Sequence, residues 1–245
     1  MPDYLANLGE PPSATAILLG GFFLTRPVVI PKLQRIPANG FLTVSKCLAD
    51  FVPDDWLYWN PADRKTERSQ QAKALGIELL HLDRLSEWCT EQLSEKQTLG
   101  YPNVIFDIET ARELARQFLR FQSLTLLGIG LRFEMSGKFF EAAQYDKHRS
   151  ARVPLGVPTL LERGLILPDG GESLGFEALG YEFEGTFHSS KCYSSEDPAL
   201  SKISFNEFGY CADFSEAIQL CAIRAKQTAK EITWLPWEIR RYVLL

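Results

Sequence analysis

Residues 14–30 form the first apolar run of the chain, and Gly20-Gly21 in its middle with Pro27 and Pro31 at its end predicts two short strands. Asn39-Gly40 marks a turn. Val44, Cys47, Leu48 and Phe51 then recur at three and four residues, which predicts a short helix over 43–51 stopped by Pro53. The aromatic run 56–59 reads as a strand. Three helices follow. One over 62–75 is polar and ends at Gly76. One over 83–96 places Leu85, Trp88, Cys89 and Leu93 on one face, with Asp83 as its N-cap. One over 108–121 places Ile108, Ala111, Leu114, Ala115, Phe118 and Leu119 on one face behind an Asp107 cap.

Residues 124–133 alternate strictly, Leu127, Ile129, Leu131 and Phe133 against Gly128, Gly130 and Arg132. This is a strand, and glycines opposite its apolar row call for another element packed closely on that face. Residues 136–157 have no clear period and read as a basic connection between two halves, 1–150 and 151–245, either separate or built on one shared core. The second half opens with a helical turn at 159–163. Residues 165–167 and 174–187 flank Asp169-Gly170-Gly171, a hairpin signal. Asp213 caps a helix to about Lys230 with Phe214, Ala217, Ile218, Cys221, Ala222 and Ala225 on one face, and the apolar tail 234–245 docks on the core. The expected fold class is α+β, a mixed sheet with several flanking helices and an acidic C-terminal hairpin-plus-helix half.

Charge changes the picture in one place. Residues 165–220 carry ten acidic side chains against Lys191 and Lys202, a net −8 in a chain whose total is −5. The remainder is therefore slightly basic, and an acidic field of this kind biases which partners approach and how fast. A pI near 5.4 argues against nucleic acid, whose phosphates attract basic surfaces. At 245 residues, 45% hydrophobic and 23% charged, the chain can bury a sizeable core. The N-terminal apolar run is too short to span a bilayer, and five scattered cysteines (Cys47, Cys89, Cys192, Cys211, Cys221) without a CxxC pair suit reduced thiols. A soluble, cytoplasmic protein with no membrane contact is the expectation.

Two sites compete. Alternation over residues 181–188, read as one strand, puts Tyr181, Phe183 and Phe187 on one face and Glu182, Glu184, Thr186 and His188 on the other. The first expectation is a protein-binding module of the immunity or inhibitor type, meeting a basic protein partner through Glu172, Glu177, Glu182, Glu184, Glu196, Asp197 and Glu207. The alternative is a metal- or thiol-dependent enzyme centred on His188, Ser189 and Cys192, with Cys211 as a further ligand. The acids around Cys192 oppose a thiolate, and H-x3-C lacks the paired spacing of zinc sites. The expectation therefore assigns no catalytic residue, no metal and no cofactor. Arg112, Arg116 and Arg120 form a helix stripe, read as a solvated face partnered by Glu109 and Glu113. The five tryptophans (Trp56, Trp59, Trp88, Trp234, Trp237) read as core, His81 as a core-edge residue and His148 as exposed.

Overall fold

The computed structural model describes residues 12–25, 78–100, 104–120, 124–145, 156–182, 186–192, 198–228 and 232–244. The predicted helices over 43–51 and 62–75, the strand over 56–59, and His148 lie outside these residues.

The strands are β1 (Ile17–Thr25), β2 (Glu78–Leu79), β3 (Leu99–Gly100), β4 (Val104–Ile105), β5 (Leu119–Arg120), β6 (Thr125–Arg132), β7 (Glu172–Glu182), β8 (Thr186–Ser189) and β9 (Ile232–Tyr242). Seven of them form one sheet in the order β3-β4-β1-β6-β9-β7-β8, antiparallel throughout, and β2 pairs with β5 separately. The helices are α1 (Leu82–Glu91), α2 (Ile108–Phe118), α3 (Phe133–Tyr145), α4 (Val157–Glu162) and α5 (Phe214–Gln227). The class is α+β. Among the described helices none is long and apolar enough to cross a membrane.

The β6–β9 ladder, Leu126↔Tyr242 through Leu131↔Trp237, joins strands of both chain halves in one sheet. The tail does more than dock: it is a central strand. Pro236 lies one residue beyond the last β6 partner, so its missing N–H falls where that ladder has already ended. Buried residues line both faces of β1, β6 and β9. On one face α3 places Phe139 against Tyr181 and Trp237, with ring centroids 5.2 and 6.1 Å apart. On the other, Ala217, Leu220 and Cys221 of α5 pack with Ala178 and Trp234.

Several local expectations change. The run around Gly20-Gly21 is one strand rather than two; a bulge between Leu19 and Gly21 absorbs the extra residue, and Gly21 takes φ +134°, which favours glycine. The Asp-Gly-Gly turn does not make a hairpin between 165–167 and β7. Both edges of β7 are occupied, by β9 on one side and by β8 and Cys211 on the other. Residues 165–167 bond instead to β1, Leu19 N to Leu165 O at 2.7 Å and Leu167 N to Ile17 O at 2.8 Å. They are the element that the β6 glycines admit: an added Cβ at Gly128 or Gly130 would meet Leu167 at 3.0 or 2.9 Å.

Helix α2 begins where its cap requires, with Asp107 Oδ2 accepting from Thr110 N at 2.9 Å. Helix α1 starts at Leu82, after His81 in the left-handed region, so Asp83 is inside the helix rather than its cap. It runs into a π turn, Gln92–Lys96, which buries Gln92 and leaves Leu93 half-buried. Helix α3 occupies the start of the expected basic connection, its apolar spacing obscured by Ser136 and Gly137. In α5 the buried face is Ala217, Leu220, Cys221 and Arg224, leaving Ile218 exposed. Arg224 can lie inward because its stem is apolar and its guanidinium donates to Gln227 at 2.6 Å.

Candidate functional site

The acidic segment divides into an exterior and an interior part. On the exterior, residues 181–188 are two strands of a hairpin, with Gly180↔His188, Tyr181↔Phe187 and Glu182↔Thr186 as partners. Glu182 and His188 therefore share a face diagonally across the ladder rather than along one strand. His188 Nε2 lies 2.9 Å from Glu182 Oε2, with both side chains about one-third exposed. At the other end of β7, exposed Glu172 accepts from Arg241 Nε at 2.9 Å. The Arg241 guanidinium also lies over the Phe208 ring, 5.6 Å from its centroid, which brings the Glu172 end of β7 beside exposed Glu207. Glu172 and Glu182 stand at opposite ends of β7, and the bulge between Ser173 and Gly175 puts them on opposite faces of the sheet. Asp169 is fully exposed and meets Arg240 Nη1 at 3.4 Å.

On the interior lies Glu177, only 2% exposed. It is buried in the core and cannot touch a surface partner as the sequence reading had it. Strand alternation explains why: Glu177 shares the α3-facing side of β7 with Leu179 and Tyr181. Ser189 donates its hydroxyl to Glu177 Oε1. The backbone N–H of Lys191 donates to Ser189 Oγ at 3.0 Å, and Lys191 Nζ donates to Phe208 O at 3.1 Å. That ammonium also sits 3.6 Å from the Tyr210 ring centroid, a cation–π distance. Burial pushes the Glu177 carboxyl above its ordinary pKa, while the Lys191 charge and the Ser189 hydroxyl hold it partly down.

This interior cluster fastens neighbouring elements together. Ser189 and Lys191 are buried with Glu177. It ties β7, β8 and the loop before Cys211 through one set of hydrogen bonds. Removing one member of such a cluster strands the others without partners in the core.

Glu184, Glu196 and Asp197 lie outside the described residues, as does the Cys192 side chain. The structure does not bring Cys211 to His188. Cys211 packs in the α5-side cluster, and burial, with Glu216 and Glu177 adding to it, pushes its thiol up to about 12. Among the described residues no group of three His, Cys, Asp or Glu side chains could hold a metal ion. Arg112 pairs with Glu109 and also donates to Val243 O at 2.9 Å, so part of the expected solvated stripe holds the C-terminal strand's end. Glu113 accepts from Gln117. Trp88, Trp234 and Trp237 are core residues. His81 is exposed rather than at a core edge.

Neither Lys191 nor Tyr210 belongs to a periodic pattern or motif that marks it as part of a buried cluster. The available signal was Lys191 itself, one of two cations in a strongly acidic stretch. No protein-family model, curated protein or solved structure matches this chain.

Proposed function

We propose that this protein is a cytoplasmic, non-catalytic binding module that engages a basic protein partner through exposed carboxylates of its C-terminal half, as an immunity or inhibitor protein does. The observation that supports it is a charge partition. Glu177 and Lys191 are buried together, which removes one charge of each sign and leaves the eight-charge acidic surplus of 165–220 on its other residues. Arg240 and Arg241, from outside the segment, meet Asp169 and Glu172. Glu172, Glu182 and Glu207 are the described acids from the expected set that reach solvent, and they sit on β7 and on the loop beside its start.

Glu172 and Glu182 stand at the two ends of β7 on opposite faces of the sheet, so what they supply together is a long-range acidic field rather than one contact face. Such fields raise association rates by tenfold to about a thousandfold and are screened by salt. The test is affinity capture from host extract at low and moderate salt, followed by association kinetics of the captured protein. The expected result is a saturable basic partner whose on-rate falls at least about tenfold as salt screens the field. A partner whose on-rate ignores ionic strength, or the absence of any saturable partner, would overturn the proposal.

A further inference from the structure

Glu177 and Trp237 are directly opposed on β7 and β9, with side chains on the same face of the sheet. Among the described residues, each has one buried polar atom without a hydrogen-bond partner, Glu177 Oε2 and Trp237 Nε1. One is an acceptor and the other a donor. Each side chain is also held by another contact. Glu177 Oε1 is held by Ser189 on β8, on the side of β7 away from β9, which leaves Oε2 as the other carboxylate oxygen. The indole presses its Cε3–Cζ3 edge toward Gly20 on β1, where an added Cβ would lie 2.5 Å from Cζ3. Nε1 lies on the opposite edge of the indole, away from the Cε3–Cζ3 contact.

We propose that a single water molecule is bound between these two atoms, accepting from the Trp237 indole N–H and donating to Glu177 Oε2. Directly opposed residues have Cβ atoms about 4.5–5.5 Å apart, close enough for one solvent molecule to serve both side chains. Direct closure is opposed because each side chain is held elsewhere. Glu177 is held by Ser189, and Trp237 is wedged between Gly20 and the rings of Phe139 and Phe187, the latter with its centroid 5.4 Å away. A water here has two protein partners of opposite kind, the minimum that buried waters satisfy. The site is independent of the partner-binding proposal and survives its failure.

The test uses the whole wild-type protein and water as the probe. In a 15N-labelled sample, the Trp237 indole proton is expected to show a cross-relaxation peak to a long-lived water. Trp237→Phe serves only to assign the resonance. A crystal structure resolving ordered solvent supplies the second measurement, with a peak expected within about 3.2 Å of both Glu177 Oε2 and Trp237 Nε1. A direct indole-to-carboxylate hydrogen bond, or two partnerless atoms with no solvent peak between them, would overturn the proposal even if the variant fails to fold.

Discussion

Ser189 on β8 donates its hydroxyl to Glu177 on β7, and Glu177, midway along β7, is an internal group. Its protonation is linked to folding. The folded-state pKa lies above the ordinary value of 4.5, so between those two values the native state binds more protons than the unfolded one. Stability associated with Glu177 is thus greatest below pH 4.5 and falls as pH rises through the folded pKa. Glu177→Gln keeps an acceptor for Ser189 and removes the charge. Relative to wild type, this variant should gain stability progressively as pH rises above 4.5, measured by urea unfolding at several pH values. A difference that is flat with pH, or that shrinks, contradicts a raised Glu177 pKa.

Cys211 should be unreactive while the protein is folded. A thiol pushed up to about 12 from 9.0 holds roughly a thousandfold less thiolate at neutral pH, because each unit is a factor of ten. Peptide-level mass spectrometry after alkylation at pH 8 should find Cys211 and the buried Cys221 unlabelled until denaturant is added. Labelling of Cys211 at the rate of a free thiol would show that the cluster around α5 is open.

Two glycines should respond oppositely to alanine. Gly20→Ala drives a methyl to 2.5 Å from a rigid, buried indole and should lose about 1–3 kcal/mol, the usual range for overpacking. Gly137, inside α3, has nothing within 4 Å of an added Cβ, so Gly137→Ala should gain about 0.5–1 kcal/mol. Denaturant melts of the two variants give both signs in one experiment. Equal effects would mean that β1 and β9 do not approach as described.

Asp107→Ala removes the acceptor for both Thr110 N and Thr110 Oγ1, each at 2.9 Å. A loss of about 0.5–2 kcal/mol is expected from the missing cap, read from the same melts. No loss would move the start of α2.

Legibility in the sequence followed the range of the interactions. Helix α2 was readable to its cap because a short-range side-chain bond and a 3.6-residue apolar period agree. Strand β6 was readable because its period-two alternation is just as local, and its glycines correctly called for a closely packed element. That Leu167 is this element depends on 165–167 pairing with β1, about 150 residues away, which no local pattern encodes. The acidic count in 165–220 was correct as a sum, but alternation along β7 decides the fate of each charge. Reading 181–188 as one strand placed Glu182 and His188 together for the wrong geometric reason, since they meet across a hairpin. Glu177 is polar at a position that β7 turns inward, and only the partners Ser189 and Lys191 make that tolerable.

The most direct test of the charge partition compares association of the captured basic partner with three forms of the protein across a salt series. The forms are wild type, a Glu172→Gln/Glu182→Gln/Glu207→Gln triple variant, and Glu177→Gln. The exposed triple is expected to slow the on-rate and flatten its salt dependence, while Glu177→Gln leaves both near wild type. An unchanged on-rate in the triple variant, or a salt dependence lost through Glu177→Gln alone with the fold intact, would contradict the assignment of binding to the exterior carboxylates.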